Sequence, residues 1–313
     1  PVTLGSHWVR DHFGTVFVAA LLLGALAFIN IWDIVTFAVL WAAVLIFKAV
    51  RQENGAWPRV LPLVLPPLAM TLVLAITMYL PYYFSVDSQA SGILPVGEIG
   101  TRPIHFLLIW GLFLVILLPF LVRQIPRVLS LPPAGPAVLC PSCGVENPGH
   151  ARLCAGCDTA LEAPGSEFLP RAVVVFGLIF LPFFIWMAWQ LGWSTLTWST
   201  SPLVVVSERF LNIIPLVLLL FVALYALIRY AESGASSAIV FVLALISLAL
   251  LLILGPEFLR VDDLFHNRMN TIFKVYYQAW ILLAIASAFG LYFLGSMGSP
   301  SRRILRLAMR GWW

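Results

Sequence analysis

The 313-residue chain is 61% hydrophobic and 10% charged, with net charge +4 and mean hydropathy +0.98. Soluble domains carry about 25% charged and 45–50% apolar residues, so an ordinary soluble domain is excluded and a polytopic membrane protein is expected. The basic residues are spread through short loops rather than gathered in a patch, which suits membrane orientation and not a nucleic-acid surface.

The chain opens at Pro1 without a Met or a signal-peptide pattern, so it is expected to be processed or to be a piece of something longer. Apolar runs of spanning length, about 17–25 residues, fall at 14–29, 34–48, 60–80, 104–122, 171–191, 203–229, 237–254 and 271–294. The second is the shortest and reads as tilted or partly re-entrant. The expected fold is an all-α transmembrane bundle of about eight helices. Its parts are membrane helices 1–4 over 1–122, a loop over 123–170, and helices 5–8 with a basic tail over 171–313.

Basic residues set orientation by their excess on the cytoplasmic side. With the N-terminus inside, that side holds Arg10, Lys48, Arg51, Arg59, Arg123, Arg127, Arg152, Arg171, Arg229 and the tail arginines, leaving Arg102, Arg209, Arg260, Arg268 and Lys274 opposite. Both termini are therefore expected in the cytoplasm of a prokaryotic cell.

The 123–170 loop contains all four cysteines, as Cys140-Pro-Ser-Cys143 and Cys154-Ala-Gly-Cys157. Two CxxC knuckles ten residues apart are the ligand set of a small zinc ribbon. Gly144 and Gly156 suit tight knuckle turns. Two disulfides are the competing reading, which a reducing cytoplasm disfavours. So short a segment cannot build a core, so zinc would supply most of its folding free energy, about 10–16 kcal/mol in comparable peptides. Four thiolates leave no open position for catalysis, which makes the ribbon structural or a docking module for a cytoplasmic protein.

Polar residues otherwise gather on the expected outer side. Asn30 and Asp33 are three apart where the first helix meets the second. Loop 81–103 offers Asp87, Gln89, Glu98 and Arg102, with His105 entering the next span. Glu208, Arg209 and Asn212 head the sixth helix. The densest stretch, 254–278, holds Glu257, Arg260, Asp262, Asp263, His266, Arg268, Asn270, Lys274 and Gln278 between two apolar runs. Charge at a helix centre costs roughly 2.5–3.5 kcal/mol on insertion scales, and intramembrane charge marks a function or a buried partner.

Each feature has a plainer reading: Asp33 as a helix cap, His105 as an interfacial histidine, Glu208 and Arg209 as a solvated helix start, Lys274 snorkelling to headgroups. Arg260, Arg268 and Lys274 suit an anion such as phosphate; Asp262 and Asp263 would instead neutralise them in a structural ion-pair network. No Walker loop, GxGxxG, HExxH or Ser/His/Asp set occurs.

FINIWDIVTF, SQASGILP with TRPIHFLLIWG, and EFLRVDDLFHNRMNTIFKVYYQAWILLAIASA resemble the YYY-type (Chlor_Arch_YYY) family of prokaryotic membrane proteins, specifically its C-terminal membrane half. The namesake tyrosine triplet is absent; Tyr82-Tyr83 and Tyr276-Tyr277 occur as pairs. The family is similar to GT-C membrane glycosyltransferases, which take sugars from polyprenyl-phosphate carriers at the outer face, an analogy at the level of fold. The resemblance implies functional positions at Asn30, Trp32, Asp33, Glu257, Arg260, Asp262, Arg268, Asn270, Lys274 and Tyr277. On that reading Arg260, Arg268 and Lys274 hold the carrier phosphate, and Asp33, Asp87 or Asp262 is the general base. Zinc at the cysteines and a divalent cation at the outer site are the expected cofactors. The alternatives are a non-enzymatic membrane subunit that packs on other chains, and a transporter. The last is ranked lowest, because its polar residues should lie at mid-membrane depth.

Overall fold

The computed structural model describes residues 3–5, 7–53, 57–86, 91–97, 100–131, 138–147, 151, 153–161, 168–193, 201–233 and 236–296. Asp87, Gln89, Glu98, Arg152 and the tail arginines lie outside them.

The described elements, in chain order, are α1 (Trp8–Asp11), α2 (Phe13–Ile29), α3 (Ile31–Gln52), α4 (Trp57–Met78), α5 (Leu80–Ser85), β1 (Gly92–Pro95), α6 (Pro103–Leu129), β2 (Val138–Leu139), β3 (Glu146–Asn147), α7 (Phe168–Trp193), α8 (Pro202–Glu232), α9 (Ser237–Leu254), β4 (Leu259–Asp262) and α10 (Met269–Ser296). Seven helices among the described residues are long and apolar enough to cross a membrane, and α2 is a shorter apolar one. In lipid every backbone polar group must be satisfied within the segment, which is why such runs become helices.

The lengths reverse one expectation. The second span is not the short one: α3 has 22 residues, whereas α2 has 17, about 25 Å against a hydrocarbon core of about 30 Å. The cause is where α3 starts. Asn30 adopts extended backbone, its side-chain oxygen accepts from the Trp32 N–H, and its amide donates to the Asp33 carboxylate at 2.8 Å. Helix α3 therefore begins at Ile31 on an Asn cap, with a carboxylate at its positive end.

Contacts divide the chain into two compact units. The first comprises residues 1–89, 130–177 and 227–244. In it α2 packs closely on α4 around Gly24, where a Cβ would stand 2.3 Å from the Tyr79 ring. The Tyr79 hydroxyl donates to the Leu21 carbonyl at 3.3 Å.

The second unit comprises residues 90–129, 178–226 and 245–313. Helices α6 and α10 meet along an aromatic seam, with Trp110 edge-on to Tyr276, Phe113 to Trp280 and Phe120 to Phe293. At the loop end β1 pairs antiparallel with β4, Gly92 opposite Asp262 and Pro95 opposite Leu259. This sheet joins loop 91–101 to the charged stretch more than 150 residues away. The indole N–H of Trp186 donates to the Val96 carbonyl at 2.8 Å and pins the next residue of that loop to α7.

Candidate functional site

The charged stretch folds as a short 3-10 turn, Gly255–Glu257, followed by β4 and a tight loop into α10. The turn aims Glu257 inward, where it is 3% exposed. One carboxylate oxygen accepts from Arg268 Nη1 at 2.9 Å and from the Thr101 hydroxyl at 2.5 Å. The other accepts from the Thr101 N–H at 3.1 Å and from Arg209 Nη1 at 3.4 Å. Arg209 also donates to the Glu257 carbonyl and lies over the Trp186 ring. Arg268 donates to the Pro256 carbonyl at 3.3 Å and to the Thr101 hydroxyl at 3.4 Å. Gly100 leaves room for this: a Cβ there would stand 3.0 Å from Glu257 and 3.1 Å from Arg209.

A second tier lies toward solvent. Asp262 is half-buried, 3.6 Å from Arg260 and 3.9 Å from His266, and it accepts from the Ser91 hydroxyl at 2.8 Å. Asp263 accepts from the Asn270 amide at 2.6 Å and the Phe265 N–H at 3.0 Å. These hydrogen bonds, Asn270 first, together with Lys274 and Arg260, hold its carboxyl below the usual range. The Asp263 carbonyl accepts from the N–H of His266, which sits in the left-handed region at φ 52°. Asn267 and Thr271 secure the head of α10 by accepting from the N–H groups of Met269 and Val261.

The structure thus brings Glu257 and Arg268 into one buried cluster, and Arg260, Asp262 and Asn270 into the neighbouring tier. Lys274 is half-buried one turn beyond Asn270, and Tyr277 points outward at 62% exposure. Asn30, Trp32 and Asp33 belong to the first unit and form the α3 cap. Among the described residues no His, Asp and Glu gather at these loops as a metal-binding group of three.

Sequence reasoning missed Thr101 and undervalued Arg209, which is 1% exposed rather than solvating a helix start, whereas its neighbour Glu208 is exposed. An arginine followed by 19 uncharged residues of one helix was the available signal. Thr101 had none, since its role comes from a contact spanning 156 residues.

Above the Glu257 cluster, helices α6 and α8 enclose a cavity of about 400 Å³. Phe106, Leu114, Leu216 and Leu219 line its length, and Thr101, Asn212, Glu257 and Tyr276 supply its few polar walls. Such a space fits an amphiphile, a hydrocarbon chain along the helices with a polar head at the loops.

In the first unit the four cysteines converge, their sulfurs all within 4.8 Å of one another. Cys140 and Cys157 are 3.6 Å apart, and Cys143 and Cys154 3.4 Å. Zinc–sulfur bonds of about 2.3 Å place tetrahedral sulfurs about 3.8 Å apart, so the set fits one ion such as zinc. The two knuckles repeat one backbone plan: the first cysteine's N–H donates five residues ahead, to Val145 and to Thr159, and its carbonyl accepts four ahead, from Gly144 and from Asp158. Gly144 and Asp158 are the matching left-handed positions, at φ 71° and 55°. Gly156 serves otherwise: a Cβ there would lie 2.8 Å from Val145. N–H groups of Gly156 and Asn147 point at Cys154 and bring its thiol down to about 6, and Thr159 lowers Cys157. Both effects favour the thiolate that binds metal.

Residues 3–283 match the family model described as uncharacterized membrane protein (DUF2298). A match over most of the chain defines an integral membrane protein, and the chain belongs to that family. The family description carries neither the YYY designation nor a GT-C relationship. No curated protein and no solved structure matches the chain.

Proposed function

We propose that the protein handles a polyprenyl-phosphate lipid in its second unit and transfers a sugar from it at the outer face of a prokaryotic cytoplasmic membrane, in the manner of GT-C enzymes. The observation that carries this reading is the apolar cavity ending at a polar cluster, the shape of a lipid with a charged head. Across that cluster and the neighbouring tier Arg209, Arg260, Arg268 and Lys274 outnumber Glu257, Asp262 and Asp263, which favours an anionic ligand.

The acceptor hydroxyl oxygen attacks the anomeric carbon as the carbon–oxygen bond to the carrier phosphate breaks. The hydroxyl proton passes to Asp262, the candidate base that lies in the same unit as the cavity and is half-exposed. The departing phosphate keeps the bonding pair, and Arg260 and Lys274 stabilise its charge. Glu257 fixes Arg268 and Arg209 in place beneath it. The ribbon holds structural zinc with a closed ligand shell, on the cytoplasmic side together with both termini.

Membranes carrying the protein, given a labelled polyprenyl-phosphate sugar, should transfer the label. Lys274→Gln and Leu107→Trp, the second placed to fill the cavity from an exposed position, should each reduce transfer at least tenfold with protein levels unchanged. Normal transfer by both variants overturns the assignment. A second reading, a membrane subunit whose ribbon docks a cytoplasmic partner, draws support from Leu139, Val145 and Leu153, which stand exposed on the ribbon.

A further inference from the structure

The first unit holds a second amphiphile-shaped feature that the transfer reading does not use. Helix α3 ends in Phe47, Lys48 and Arg51, whose cations share one face at i, i+3 spacing. Arg51 stacks on the Phe47 ring at 4.3 Å and donates from Nη1 to the Ser237 hydroxyl at 3.2 Å. Its Nε and Nη2 are buried with no hydrogen-bond partner. Lys48 stands over the Trp8 ring at 5.0 Å, and the Trp8 indole N–H is likewise buried without a partner. Among the described residues no carboxylate pairs with either cation, since Glu53 faces Arg59. Buried donors left unfilled are uncommon, and each calls for an acceptor.

Two apolar cavities lead away from this point. One of about 220 Å³ is lined by Phe47, Val50, Val240 and Phe241, and one of about 930 Å³ by residues of α2 with Phe37, Trp41 and Val44. They share Val44 and Phe241, so they form one trough along α3. From Arg51 to Phe37 that helix rises about 21 Å, more than half of the roughly 30 Å hydrocarbon core. Its head is cationic and hydrogen-bond-donating, and its body is hydrocarbon.

The geometry points to a binding site for an anionic glycerophospholipid, with the phosphate at Arg51 and Lys48 and an acyl chain over Val44 and Phe241. Charge complementarity selects the anionic headgroup, and the trough selects a lipid over a free anion. Guanidinium supplies paired donors to phosphate oxygens.

The full chain, purified in mild detergent and stripped of lipid, is offered phosphatidylglycerol, phosphatidylcholine or inorganic phosphate, and bound lipid is counted by native mass spectrometry. Phosphatidylglycerol should be retained as a single copy and preferred over phosphatidylcholine by roughly fivefold for each cation. Arg51→Gln and, independently, Lys48→Gln should each remove about that factor, while Val44→Trp at its lipid-exposed position should lower retention of both lipids. Equal retention of the two lipids, or a preference unchanged in both cation variants, overturns the site. So does inorganic phosphate that raises the melting temperature as far as phosphatidylglycerol does in both native and Val44→Trp protein, since that identifies a free-anion site.

Discussion

A carboxylate buried between two guanidinium groups is subject to the asymmetry of internal ion pairs. Assembling such a pair gains little, because both ions are desolvated, but removing one partner leaves the other uncompensated at about 3–5 kcal/mol. Glu257→Gln should therefore lower the thermal midpoint of the detergent-solubilised protein strongly, since it removes the charge that faces both Arg209 and Arg268, while Arg268→Ala, which leaves Glu257 paired with Arg209 and Thr101, should cost less; the opposite order would argue that Glu257 is not held between the two arginines. Asp263 gives a pH test. Its lowered carboxyl stabilises the folded loop above the ordinary carboxylate value of about 3.9 and loses that contribution as pH falls through the lowered value. Asn270→Ala removes the largest cause and should shift acid-induced loosening of the loop to higher pH, followed by tryptophan fluorescence. In the ribbon, Gly144→Ala forces an L side chain into the left-handed region at about 1–2 kcal/mol, and a chelator competition should show faster metal loss.

At the scale of elements, close approach decides more than hydropathy. Gly24→Ala places a methyl group inside the Tyr79 ring's volume and should destabilise the α2–α4 contact by about 1–3 kcal/mol. Tyr79→Ala in the same chain should recover most of that loss, a coupling measurable by a double-mutant cycle of melting temperatures. The long helices could be read from the sequence because lipid imposes one demand, about 20 apolar residues with no unsatisfied backbone. The Asn30 cap could be read only in part: Asn and Asp three apart were visible, but their effect on where α3 begins was not. The two knuckles were legible from spacing, whereas Asp158 was not recognised as the counterpart of Gly144. The β1–β4 pairing left no mark in either segment, since four residues of ordinary loop composition carry no strand signal strong enough to identify a partner so far along the chain.

For the molecule as a whole, the ribbon and the membrane helices should respond separately to metal removal. The ribbon's buried core consists of Cys140, Cys154 and Leu161, too little to fold without an ion. Chelation should release one metal per chain and leave the helical circular-dichroism signal nearly unchanged. Lipid binding in the second unit is tested most directly by a density map of the protein in nanodiscs supplied with a polyprenyl phosphate. A lipid-transfer site there predicts a continuous chain between α6 and α8, with the phosphate beside Arg260, Arg268 and Lys274. A cavity empty of lipid under saturating polyprenyl phosphate, or a phosphate seated away from these three cations, would contradict it.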